Sequence, residues 1–200
     1  MVESVEKYLQ KIGEIAKEIS RKEIEKAVSI LHDAWKNGRR VFVAGNGGSA
    51  ATAVHFAADL SKFASVHPKK RFKAISLNEN IPLFSAIVND LGWENVYVEQ
   101  LQNLMEEGDI FVAISVHGGA GAEKAGPWSQ NLLKAAKFVK EKNGKVIGLA
   151  GFDGGPLKKI ADACIVVPSD STPQIEGFHS VIAHLIAARL RELLAQEASL

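Results

Sequence analysis

From Arg40 onward, short and nearly unbroken apolar runs alternate with stretches of helical periodicity, and this alternation restricts the fold more than any other feature. The runs occupy residues 41–44, 72–77, 110–115, 145–149 and 163–167. A strand that is apolar at every position, not every second one, is covered on both faces, as in a parallel sheet whose crossovers are helices. Helices are predicted between them at about 50–63, 82–89, 96–104 and 128–142, with a short one near Leu157 and a last one over 173–194. The fold class is therefore α/β, a doubly wound five-stranded parallel sheet. A chain of 200 residues suffices for one sizeable core, so residues 1–200 read as a single domain, helical over 1–38 and α/β over 39–200.

The N-terminal segment places Val5, Leu9, Ile12, Ile15 and Ile19 at three- and four-residue steps, an amphipathic helix. Ser20 and Glu23 have capping-box spacing, and Ile24, Ala27, Val28, Leu31 and Trp35 continue as a second helix that ends before Gly38. This helical pair outside the α/β unit calls for a partner surface, with a subunit interface as one candidate. Glu3, Glu6, Lys7, Lys11 and Glu14 break up any signal-peptide core, and no apolar run reaches membrane-spanning length, so the cytoplasm is expected. Lys and Arg total 24 against 23 Asp and Glu, a balance that argues against a nucleic-acid or membrane partner. The single cysteine, Cys164, lies in an apolar run and reads as a buried strand residue, not a nucleophile.

Ligands of open α/β sheets bind beyond the carboxyl ends of the strands. The loops concerned are residues 45–49, 78–81, 116–127, 150–155 and 168–172. The first, Gly45-Asn46-Gly47-Gly48-Ser49, runs straight from a strand into a helix. Its glycines let the backbone approach an anion, and the helix start offers unpaired N–H groups. It lacks the lysine of a Walker loop, and Ala50 stands where a dinucleotide fingerprint needs its third glycine.

This element, continuing through Ala50-Ala51 to His55-Phe56-Ala57-Ala58-Asp59-Leu60, resembles the first signature of the phosphoheptose isomerases, a branch of the sugar isomerase (SIS) family. Further stretches fit in order: Asn89-Asp90-Leu91-Gly92-Trp93, Ala113-Ile114-Ser115, Asp153-Gly154-Gly155, Pro168-Ser169-Asp170-Ser171-Thr172, and the helix bearing Glu176, His179 and His184. The resemblance implies a flavodoxin-like strand order and a homotetramer. It also implies an aldose-ketose isomerase acting on sedoheptulose 7-phosphate through an enediol, often with zinc. Asp59 and His184 take the places of the acid-base pair, and His55 and Glu176 those of the other metal ligands. Asn46, Gly47, Gly48, Ser49, Asp90, Ser115, His117, Gly118, Gly119, Thr172 and Glu176 fall where substrate and phosphate are held. Chemistry agrees: isomerisation needs a base, an acid and a phosphate grip. Two imidazoles with carboxylates suit a divalent metal.

Three departures matter. Asp59 is one methylene shorter than the family's Glu, and Glu176 replaces a Gln. Where relatives carry a hydroxyl-rich loop after the third strand, this chain has Ser115-Val116-His117-Gly118-Gly119-Ala120-Gly121-Ala122, with Glu123 and Lys124 before Pro127. His117 or Lys124 could supply the missing grip by charge. Two alternatives stay open at this point. One is a non-catalytic SIS module that binds a sugar phosphate or assists assembly; the other is an enzyme for a sugar bearing a different anion.

Overall fold

The computed structural model describes residues 4–67, 69–119 and 129–198. Two helices, α1 (Val5–Glu18) and α2 (Arg21–Lys36), lead into β1 (Arg40–Gly45) and α3 (Gly48–Ala58). Then come β2 (Lys73–Ser76), α4 (Ile81–Leu91), α5 (Val98–Leu104), β3 (Ile110–Ile114) and α6 (Gln130–Glu141). The chain closes with β4 (Lys145–Ala150), α7 (Gly155–Ile160), β5 (Ala163–Val166) and α8 (Thr172–Ala198). All five predicted strands form within a residue or two of their expected limits. The part of the predicted 116–127 loop from residue 120 on, and the first residue of the helix predicted over 128–142, lie outside the described residues.

The sheet is wholly parallel in the order β2-β1-β3-β4-β5, with Val41 beside Ile110 and Gly45 beside Ile114. Side chains alternate between two apolar layers. Val41, Val43, Val112 and Ile165 face a core with Ile15, Leu31, Phe56, Ile182 and Leu190 from α1, α2, α3 and α8. Phe42, Phe111 and Val146 face a second core with Ile87, Leu101, Leu132 and Leu157 from α4 to α7. Burial on both faces is why the strand sequences show no alternation of polar and apolar residues.

The order reverses at β1: β1 leads into α3 on the first face, whereas β3 leads to α6 on the second. The two connections therefore part company beyond the carboxyl ends of neighbouring strands, which opens a crevice there.

Ser20 caps α2 through a bond from the Glu23 N–H at 3.3 Å. The carboxylate of Glu23 does not return to Ser20; it accepts the N–H of Cys164 at 3.0 Å, tying α2 to β5. Cys164 is buried, and burial pushes its thiol up to about 12, so it is an inert strand residue. Among the described residues, no helix is long and apolar enough to cross a membrane.

Candidate active site

The turn after β1 is built around glycine geometry. A Cβ on Gly45 would lie 2.4 Å from the carbonyl oxygen of Ser49, and Gly47 has φ +56°. Asn46, between them, is held by a buried polar network. Its amide exchanges hydrogen bonds with Asn131 of α6 at 3.0 Å in each direction, and it donates to Ser129 Oγ at 3.4 Å. The Tyr97 hydroxyl donates towards Gly45 O and Asn46 Oδ1 and accepts from Asn78 Nδ2. Asn78 in turn brackets Gly45, accepting its N–H and donating to its carbonyl. Burial pushes the Tyr97 hydroxyl up to about 12, which keeps its proton available for donation. The turn is thus locked before any ligand arrives. Ser49 is buried at the first turn of α3.

Helix α3 and helix α8 lie side by side and run in the same direction. Contacts pair Gly48 with Glu176, Thr52 with Ser180 at 3.3 Å, and Asp59 with His184 at 3.0 Å. Residues 55 and 59 share a face of α3 by their four-residue spacing. His55 Nε2 lies 3.7 Å from one Asp59 oxygen, His184 Nδ1 lies 3.0 Å from the other, and the imidazole rings meet edge to face at 4.8 Å. One ligand atom from each of these three residues falls within 4.8 Å of the others. The side chain of Asp59 is 17% exposed, whereas those of His55 and His184 are 60% and 56% exposed. The carboxylate is sheltered beneath two accessible imidazoles. Two nitrogens and one oxygen at this spacing match the donor set of an open catalytic zinc site.

Glu176 stands apart from this trio. Eight residues before His184, it is about 12 Å nearer the start of α8 at 1.5 Å per residue. Its carboxylate lies against the glycine turn, where a Cβ on Gly48 would meet Oε1 at 2.7 Å. The structure therefore brings together His55, Asp59 and His184 and places Glu176 with the turn. That position, beside the amino ends of α3 and α8, is electrostatically favourable for a carboxylate.

Ser115 is buried, with its Oγ 3.3 Å from Ser129 Oγ and accepting the Gly119 N–H. Gly118 and Gly119 have φ of +61° and +72°, and a Cβ on Gly118 would strike the Gly154 carbonyl at 2.0 Å. These glycines let the β3 and β4 loops pack together. His117 stacks on Phe152 at 4.5 Å, on the same edge of the sheet. Thr172 is exposed at the start of α8. Asp90 is exposed near the end of α4 and accepts from the Asn89 side-chain amide at 2.7 Å. Lys124 lies outside the described residues.

Asn78, Tyr97, Ser129 and Asn131 are site residues that sequence reasoning missed. Asn78 opens a loop already marked as lying at the ligand edge, which was a usable signal. Tyr97 sits in the apolar run Val96-Tyr97-Val98 and reads as core, while Asn131 is a lone amide on an amphipathic helix. His179 is wholly buried, with Nε2 donating to Ala150 O at 3.1 Å and Nδ1 without a hydrogen-bond partner among the described residues.

The profile of the SIS domain matches residues 7–151. A phosphoheptose isomerase of Nitratiruptor sp. is 38% identical over 196 residues, covering 96% of this chain and 99% of the relative. The lincomycin biosynthesis protein LmbN of Streptomyces lincolnensis is 37% identical over 189 residues, covering 92% of this chain and 68% of its own. Among solved structures, a phosphoheptose isomerase from Francisella tularensis superposes with a TM-score of 0.81 at 28% identity, covering 94% of each chain.

Proposed function

Since the chain belongs to the phosphoheptose isomerase family of SIS-domain proteins, we propose that it interconverts sedoheptulose 7-phosphate and the corresponding aldose phosphate. The observation that carries this reading is the Asp59 carboxylate seated between the imidazoles of His55 and His184, where α3 leaves the glycine turn and α8 passes that turn at Glu176.

In the forward direction, a base removes a proton from C1 of the ketose. The C–H electron pair becomes the C1=C2 bond as the C2 oxygen takes up a proton, giving an enediol. Loss of the O1 proton then forms the C1 carbonyl while C2 gains a proton. Asp59 accepts the Nδ1–H of His184, which leaves His184 Nε2 free to take and return the proton. The sheltered carboxylate stabilises the imidazolium that forms, and the pair shares acid and base duties. Asn46, Gly47 and Gly48 grip the phosphate through backbone N–H groups, with Ser49 beside them at the amino end of α3 and Ser115, His117, Gly118 and Gly119 on the facing loop. Thr172 and Glu176 take the sugar hydroxyls, and Asp90 is assigned to the substrate as well.

As a set, His55, Asp59 and His184 would alternatively hold a divalent cation, for which zinc fits; bound there it would polarise the sugar carbonyl, and His184 would then act as a ligand and not as the base. Glu176 would have to swing away from Gly48 to join that set. We place the protein in the cytoplasm as a homo-oligomer, taken to be a tetramer. Val181 and Leu185 on α8 are 53% and 46% exposed, and Val5 and Leu9 on α1 are also exposed; such apolar stripes suit subunit contact.

The test is an NMR assay in deuterated water with sedoheptulose 7-phosphate. Turnover with deuterium incorporated at the carbon beside the carbonyl is expected. Tight binding of the sugar phosphate with neither turnover nor exchange would sink the isomerase reading and favour a non-catalytic sugar-phosphate binder.

A further inference from the structure

The helical hydrogen-bond pattern changes at Asp59 itself. Beyond Ala58 the chain widens into a π-helical turn over Asp59–Phe63, closed by the Ala64 N–H donating to Asp59 O at 2.8 Å. Single π turns inside or at the end of α-helices are rare and concentrate at functional sites. A helix end also leaves carbonyl groups that need outside donors. Here Ser65 Oγ donates to Leu60 O at 2.9 Å, and Arg191 Nη1 donates to Phe63 O at 2.6 Å. The Arg191 guanidinium further covers the Phe63 ring at 5.0 Å. Arg191 lies seven residues beyond His184 on α8, on the same face of that helix. One face of α8 thus grips the turn at both ends: His184 takes the carboxylate of its first residue, and Arg191 takes the carbonyl and ring of its last.

We propose that Arg191 is a positioning residue: by holding the π turn through Phe63, it keeps the Asp59 carboxylate between the two imidazoles. This rests on the isomerase reading for its kinetic consequence, but not for its structural one. Asp59 has a short side chain, so the place of its carboxylate follows its backbone, and the backbone at Asp59 is set by the turn. Among the described residues Arg191 bonds to Phe63 and not to the glycine turn, which separates the expected effects on catalysis and on substrate binding.

The experiment compares the full chain with Arg191→Met and Arg191→Lys. In Arg191→Met, exchange of the Ala64 amide is expected to accelerate about tenfold or more, while amides of β1 keep their protection. kcat should fall about tenfold with KM changed less than twofold, and the affinity for zinc ions alone, measured against a competing indicator, should weaken to a similar extent. Arg191→Lys retains a donor for Phe63 O and should recover most of each loss. Three outcomes would overturn the proposal: unchanged Ala64 exchange in Arg191→Met; faster exchange with unchanged kcat and zinc affinity; or equal losses in Met and Lys variants that track their melting temperatures. A wild-type chain that binds zinc without turnover would remove the isomerase reading alone, and zinc affinity would still decide the role of Arg191. A wild-type chain with neither property would defeat both.

Discussion

His184 Nδ1 and Asp59 Oδ2 meet 3.0 Å apart across the seam between α8 and α3. The pair is half exposed on the imidazole side, so it adds little to folding stability, for which exposed ion pairs contribute about 0–1 kcal/mol. Its value is chemical. Asp59→Asn and His184→Gln should each lower kcat on sedoheptulose 7-phosphate by about 10²–10⁴, the usual worth of a positioned acid or base. Melting temperatures should move by no more than a few degrees. Steady-state kinetics with parallel thermal melts check this; activity lost only in proportion to melting temperature would contradict it.

Glu176 places a carboxylate against Gly48, where the substrate's phosphate would approach. Glu176→Gln keeps the shape and removes the charge, so KM for the sugar phosphate should fall by about three- to tenfold at low salt, from the loss of one nearby like charge. Raising the ionic strength should shrink the difference between the two proteins. An unchanged or higher KM in the variant would show that the negative charge itself, and not just a hydrogen-bonding group, is needed to hold the sugar hydroxyls.

Tyr97→Phe removes the hydroxyl that secures Gly45 and Asn46 and leaves buried acceptors without their donor. Destabilisation by about 1–3 kcal/mol is expected in denaturant titrations. KM should rise as Asn46 loses its anchor, with kcat affected less. A variant as stable as the parent, with the same KM, would show that Asn131 alone suffices to fix the turn.

Burial lowers the imidazole of His179 to about 4, with its bond to Ala150 opposing the shift. The unfolded chain takes up a proton below about pH 6.5, whereas the folded chain does not until near pH 4. Stability attributable to this group is therefore complete above pH 6.5 and is lost as the pH falls towards 4, with a slope of up to about 1.4 kcal/mol per unit. In His179→Gln that contribution should vanish. Melting temperature against pH for both proteins measures it, and parallel curves would refute it.

Much of the architecture could be read from residues alone because its signals are local. Unbroken apolar strands, the Ser20 cap and the strand-turn-helix around Gly47 each depend on neighbours in sequence. The four-residue spacing of His55 and Asp59 likewise placed them on one face of α3. What remained hidden depends on long-range packing. The parallel course of α3 and α8 sets Glu176 beside Gly48, 128 positions away in sequence, and eight-residue spacing on one helix could not show this. The same holds for Asn131, which reaches Asn46 across 85 positions, and for the π turn, whose Phe63 carbonyl is held by a side chain of the last helix.

The shared direction of α3 and α8 turns the site into a gauge. Between Gly48 and the His55–Asp59 segment the helix rises roughly 10–16 Å, so a molecule anchored by its anion at the turn would have to extend along α3 to bring its far end to His184. On the proposed reading a triose phosphate tethered there would stop short of His184, whereas a seven-carbon chain would span the interval. On the same reading, selection among phosphosugars by backbone length would follow from the number of helical turns separating anchor from imidazole.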